Sequence, residues 1–179
     1  EFSICTEMAG MNATVPGDVM MIILPMFHTN PLCVWTYPYS YQGLTLCIRK
    51  IFSPEDFWPS VIRYGVNIVM GVPAMYAYIV AVADPEKIDM DKVQLRYAFS
   101  GAAPMPLDVV AAFKDKFGVR VIDGYVLTEA CGVSTTSYGC PENWAAIGMN
   151  YSNQEVEIMD DDNNILPYGE KGEICIKGD

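Results

Sequence analysis

Basic residues are scarce, with 11 Lys and Arg against 22 Asp and Glu and a net charge of −11 at pH 7. So acidic a chain repels phosphate backbones and anionic lipid at long range, and its one adjacent basic pair is Arg49-Lys50, so no nucleic-acid partner is expected. Histidine occurs once, and the six cysteines, at 5, 33, 47, 131, 140 and 175, form no Cys-x-x-Cys pair. That leaves no ligand set for a structural zinc. The thiols read as reduced core residues of a cytoplasmic protein, with a single Cys131 to Cys140 disulfide as the alternative. Long apolar runs are missing too: Val19 to Phe27 already contains Pro25 and falls short of the roughly 20 residues a membrane-spanning helix needs. No basic leader and no Met precede Glu1-Phe2-Ser3, which reads as a cut end. Internal repeats and low-complexity tracts are also absent.

What is present is 179 residues, 51% of them hydrophobic, enough for one sizeable core. Short β-rich apolar runs alternate with longer amphipathic stretches. Val19 to Leu24, Leu44 to Ile48, Asn67 to Val72, Arg96 to Phe99 and Val119 to Ile122 read as strands. Ser53 caps a helix with Pro54 in its first position and Gly65 at its end, Pro73 opens another through about Val82, and Pro106 to Phe117 makes a third that stops at Gly118. Asp84 to Lys92 is a surface loop. The βαβαβαβαβ order predicts an α/β fold, a doubly wound and mainly parallel sheet with flanking helices. Beyond about Glu142 the texture changes: Gln154 to Met159 and Glu173 to Lys177 read as a hairpin that starts a small β-barrel region, and the acidic Asp160 to Asn164 as its solvated turn. The expected division is therefore residues 1–142 and 143–179.

Three stretches carry candidate chemistry. Ser100-Gly101-Ala102-Ala103-Pro104 follows the fourth strand, where small residues leave backbone groups open to a flat ligand, or simply make a tight turn. Asp123-Gly124-Tyr125-Val126-Leu127-Thr128-Glu129 follows the fifth strand. There a Tyr can stack on a base, a Thr hydroxyl can bond a phosphate oxygen and a Glu can hold a hard cation, although Thr128-Glu129 could equally cap a helix. The lone His28 follows the first strand in Leu24-Pro25-Met26-Phe27-His28. In this topology all three stretches leave the same sheet edge.

Together, Ser100 to Pro104, Asp123 to Glu129 and Leu24 to His28 resemble the adenylate-forming (AMP-binding) acyl-CoA synthetase superfamily. Gly71-Val72-Pro73 and Gly172 to Gly178 are similar to further motifs of that family, so the resemblance covers essentially the whole chain. It implies a ligase that joins a carboxylic acid to ATP, giving an acyl-adenylate and pyrophosphate, and then passes the acyl group to coenzyme A, as in fatty acid metabolism. It also implies roles. Gly101, Ala102 and Ala103 border adenine and acyl group, Tyr125 stacks on the base, and Asp123, with Gly124 beside it, lies near the adenine amino group. Thr128 contacts phosphate, Glu129 binds Mg²⁺, and His28 lines the acyl pocket. By the same resemblance, the phosphate loop lies upstream of Glu1 and the C-terminal domain with its adenylation Lys downstream of Asp179. The isolated chain is thus expected to be a central piece, inactive alone.

Two departures sharpen this reading. Amino-acid-activating relatives are expected to place an Asp near position 28, and His28 there favours an acyl or aryl acid. Where the family pattern has Gly, this chain has Val126, which implies a shortened or redirected acyl pocket and a short, medium or compact acid; a compensating small residue such as Ala74 is the alternative. Ala146-Ile147-Gly148-Met149-Asn150 keeps the family's Ile-Gly without the later proline. Met70, Met75 and Met105 read as core filler. A catalytically silent binding domain and an adenylation domain that loads a carrier protein stay open as alternatives. Oligomeric state is not legible.

Overall fold

The protein is described by a computed structural model covering residues 14–130, 132–140, 146–152 and 154–178. Five parallel strands form its centre: β1 (Val19–Ile22), β2 (Thr45–Ile48), β3 (Ile68–Gly71), β4 (Tyr97–Ser100) and β5 (Arg120–Asp123), in the order β2-β1-β3-β4-β5. β1, β3 and β4 are near-continuous buried runs because both faces of the sheet are covered there, whereas β2 at the edge is half-exposed.

Alternation along each strand divides the core in two. Met21, Val69, Ala98 and Val121 pack on one side against Phe57, Trp58 and Val61 of α2 (Pro54–Tyr64), Tyr76 and Ile79 of α3 (Pro73–Val82), and Val110, Phe113 and Phe117 of α4 (Leu107–Phe117). Met20, Ile22, Ile68, Met70, Phe99 and Ile122 face the other side. That side is covered by a π-helical segment, Asn30–Thr36, running into α1 (Tyr37–Gln42), which contributes Val34, Trp35 and Tyr39.

The capping chemistry behaves as the sequence predicts. Ser53 Oγ accepts from the Asp56 N–H at 3.1 Å, and Gly65 ends α2 with φ of 60°, a conformation that suits glycine. Arg49, half of the one basic pair, is held by Asp56. Asp84 to Lys92 forms two short 3₁₀ turns.

The crossover between β1 and β2 has no sequence periodicity from which bounds can be read. Its wide turn is closed by side-chain bonds five residues apart: Thr36 Oγ1 donates to the Pro31 carbonyl at 2.7 Å and Trp35 Nε1 to Asn30 Oδ1 at 3.0 Å. Pro31 and Pro38 interrupt any regular helical signature.

Short antiparallel pairs follow: β6 (Val126–Leu127) with β7 (Gly132–Val133), and β8 (Thr135–Thr136) with β9 (Met149–Asn150). The expected hairpin is β10 (Gln154–Met159) against β11 (Glu173–Gly178). Its connection contains a turn in which Asp160 Oδ1 accepts from the Asp162 and Asn164 N–H groups at 2.9 and 2.8 Å. These bonds draw the Asp160 carboxyl below the usual range, the bond from Asn164 most. The acidic run is a turn, as expected. Cys33, Cys47, Cys140 and Cys175 are free and half-buried rather than fully buried. Cys131, the Glu1 to Asn12 segment and the boundary near Glu142 lie outside the described residues.

Candidate functional site

Strand register builds the site. Gly71 stands beside Ser100, and Ser100 beside Asp123, so β3, β4 and β5 end on one line and their exits emerge together. Ser100 is buried and its Oγ donates to Met105 Sδ at 3.5 Å, folding the exit back on itself. Ala102 then adopts φ of 69°, a left-handed conformation that costs a non-glycine residue about 1–2 kcal/mol. Strain of this kind concentrates where backbone is held for a ligand.

A cavity of about 410 Å³ opens at this edge, lined by Ala102 to Pro104, by Asp123 to Leu127, and by Ile147 and Ile174. Its size is that of a small-molecule site. Burial pushes the Asp123 pKa up, outweighing the opposing influence of the Gly124 and Met105 backbone amides. Asp123 Oδ1 is buried in the cavity wall with no partner. An orphaned acceptor at a ligand cavity fits a donor such as the exocyclic amine of a purine.

The walls are fixed by backbone contacts. A Cβ on Gly124 would lie 2.7 Å from the Thr135 carbonyl oxygen, so only glycine allows the approach. Thr135 Oγ1 accepts from the Tyr125 N–H at 3.3 Å and donates to the Ile147 carbonyl at 2.6 Å. One hydroxyl therefore ties the Tyr125 segment to the distant Ile147. Gly148 next to it has φ of 93°, and a Cβ there would fall 1.8 Å from the Thr136 carbonyl oxygen, which explains the Ile-Gly pair.

Ala102, Ala103, Pro104, Asp123, Gly124, Tyr125 and Val126 are thus brought together around one cavity. Gly101 lies buried beneath, where a Cβ would meet Val126 Cγ2 at 3.4 Å. Ala74, in contrast, is exposed on α3, and the small residue facing Val126 is Gly101. Thr128 and Glu129 occupy the exposed turn between β6 and β7, and among the described residues no helix starts there for them to cap. His28 is exposed beyond β1; its N–H donates to the Pro25 carbonyl at 3.0 Å and its carbonyl accepts from Leu32 at 3.2 Å. None of these three side chains lines the cavity. Leu127, Ile147 and Ile174 were not anticipated, and the only signal for Ile174 is the apolar alternation in Glu173 to Ile176. Met70 is core filler, as expected, and also borders a smaller chamber behind Val126.

Among the described residues no group of three or more His, Cys, Asp or Glu could hold a metal ion. Glu129, an exposed carboxylate on the turn after β6, offers a single ligand position, so a hard cation there would take its other ligands from elsewhere. No helix among the described residues is long and apolar enough to cross a membrane.

A family model described as AMP-binding enzyme matches residues 2–179. Crotonobetaine/carnitine–CoA ligase of Salmonella paratyphi C is 32% identical over 163 residues, covering 90% of this chain and 31% of that protein. The chain thus spans about a third of the length of the curated relatives it matches. O-succinylbenzoate coenzyme A synthetase from Bacillus subtilis, in complex with ATP and magnesium ion, superposes with a TM-score of 0.79 at 25% identity, over 99% of this chain and 37% of that one. A benzoate CoA ligase from Burkholderia xenovorans LB400 superposes at 0.82 with 20% identity, over 99% and 37%, a likeness of fold.

Proposed function

The chain belongs to the AMP-binding enzyme family, and from that premise we propose that the protein carrying it is an ATP-dependent carboxylic acid–CoA ligase. The observation that carries the reading is the 410 Å³ cavity at the strand ends, with an unpartnered Asp123 Oδ1 in its wall. In the reaction a carboxylate oxygen attacks the α-phosphorus of ATP, the bond to pyrophosphate breaks, and the coenzyme A thiolate later attacks the acyl carbonyl with AMP leaving.

Each side chain then has a task. Asp123 Oδ1 accepts from the adenine amine, Tyr125 lies against the base, and the Ala102–Ala103 backbone borders adenine and acyl group. Thr128 donates to a phosphate oxygen and Glu129 holds Mg²⁺, which supplies neutralisation of phosphate charge when bound. Both stand on the exposed turn beside the cavity and meet a ligand that reaches out of it. His28 borders the acid from the β1 side. Positioning and electrostatics do most of the work in such a site.

The relatives support this reading by name, as CoA ligases. In it, residues 1–142 form the α/β part and residues 143–179 lead into a small β-barrel. The phosphate loop and the Lys-bearing domain belong to the remaining two thirds of such an enzyme, and the free cysteines suit a cytoplasmic location.

The test is mass detection of an acyl-CoA thioester after incubating the complete protein with ATP, Mg²⁺, coenzyme A and a panel of acids. Thioester with one acid class supports the ligase. Adenylate that accumulates without thioester points to a carrier-protein thiol, and no product with any acid points to a silent binding domain.

A further inference from the structure

The run Ser134-Thr135-Thr136-Ser137 is buried along its whole length, at 0 to 6% exposure, although every side chain in it carries a hydroxyl. Buried hydroxyls need partners, and alternate members of the run find them on the loop after β5. Ser137 Oγ accepts from the Asp123 N–H at 2.9 Å, and its own N–H donates to the Asp123 carbonyl at 2.8 Å. Two residues earlier, Thr135 meets Gly124 and Tyr125. Its carbonyl oxygen stands 2.7 Å from the point where a Gly124 Cβ would sit, and its Oγ1 accepts from the Tyr125 N–H at 3.3 Å.

The same Oγ1 gives its one proton to the Ile147 carbonyl at 2.6 Å. Tyr125 and Ile147 both line the cavity of about 410 Å³, whereas Thr135 does not. Main-chain bonds hold the surrounding strands without help from this side chain: the Ser134 N–H donates to the Tyr125 carbonyl at 2.8 Å, and Thr135 pairs with Asn150 between β8 and β9. What the hydroxyl adds is a cross-link between two walls of the cavity.

We infer that Thr135 is a positioning residue for adenylation, holding the Tyr125 and Ile147 walls at the separation in which ATP binds and is aligned. This rests on the adenylation reading above. A wall already held in place costs little to order when the nucleotide enters, whereas a wall freed from its link has to be ordered at that moment. Loss of the hydroxyl therefore weakens ATP binding and loosens its alignment with the acid.

The test is acid-dependent ATP–pyrophosphate exchange by the complete protein and its Thr135→Val and Thr135→Ser variants, with ATP varied at saturating acid. Val keeps the shape of the side chain and removes the hydroxyl; Ser keeps the hydroxyl. The Val variant is expected to raise the KM for ATP about tenfold, the worth of one buried polar contact, and the Ser variant to restore most of it. A residue that only stabilised the fold would lower the fraction of active enzyme, hence kcat, and leave the KM of the folded remainder unchanged. Thr135→Ala, which also lacks the hydroxyl, takes the place of the Val variant if that one fails to fold. An unchanged KM for ATP without the hydroxyl, or a Ser variant as impaired as the Val variant, overturns the inference while leaving adenylation intact. Exchange with no acid in the unsubstituted protein overturns the adenylation reading and this inference with it.

Discussion

The hydroxyl of Tyr76, on α3, donates to the main-chain carbonyl of Phe99, on β4. Tyr76 is fully buried, and a Cβ on Gly71 would lie 3.1 Å from its ring. A single phenol thus braces the ends of β3 and β4 from behind, one residue before the Ser100 exit. Burial, aided by the Asp123 carboxylate, pushes its pKa far above the usual range, so it stays a donor.

Tyr76→Phe is expected to lower stability by about 1–2 kcal/mol, because it leaves a buried acceptor without this donor. Urea denaturation of the complete protein measures it. An unchanged midpoint would mean that the bond contributes nothing.

Asp123→Asn separates binding from folding. The substitution keeps the side chain's shape, while its amide presents a donor where Oδ1 presented an acceptor. Affinity for ATP should fall about tenfold, the cost of one mismatched buried polar contact, and affinity for the inosine nucleotide, with a carbonyl in place of the amine, should suffer less. Equal losses for both would remove Asp123 from the base site.

The same residue gives a pH signature. Its folded-state pKa is raised by burial, so the native state binds the proton more tightly than the unfolded chain. The stability Asp123 contributes is fully present below its unfolded pKa and is lost as pH rises through the raised folded value. Asp123→Asn should therefore be at least as stable as the unsubstituted protein at neutral pH. It should also lack that component of the slope in denaturation curves taken across the carboxylate range.

Asp18 is 3% exposed and accepts from Arg96 Nη1 and Nη2 at 2.7 and 2.6 Å, joining the chain just before β1 to the chain just before β4. Arg96→Met removes the charge partner of the carboxylate, leaving it the Val15 N–H at 2.8 Å, and is expected to cost about 3 kcal/mol, the low end for a buried pair since the Arg side chain is 33% exposed. Adding Asp18→Asn should recover part of this loss in the same denaturation assay. A double variant weaker than either single would contradict the pairing.

Much of the architecture was legible because it rests on local chemistry. Ser53, Pro54, Gly65 and Gly118 punctuate helices through their own backbone preferences, and the apolar runs of β1, β3, β4 and β5 need only burial on two faces. The segment from Asn30 to Gln42 was not legible, since its π-helical turn depends on the Thr36 and Trp35 side-chain bonds and lacks a regular period. The loops that border the cavity could be named from their position after parallel strands. Its far wall could not, because Ile147 and Ile174 arrive through tertiary contacts such as the Thr135 bond. The sequence left Thr128 and Glu129 between a helix cap and a site; the hairpin turn from β6 to β7 removes the helix.

The most direct measurement of the central claim is acid-dependent ATP–pyrophosphate exchange by the complete protein beside its Glu129→Gln variant. The account predicts exchange that requires a carboxylic acid and falls by two orders of magnitude or more, about 2.7 kcal/mol of transition-state stabilisation, when the carboxylate of Glu129 is lost. ATP binding without exchange for any acid, or exchange that the variant leaves unchanged, would contradict it.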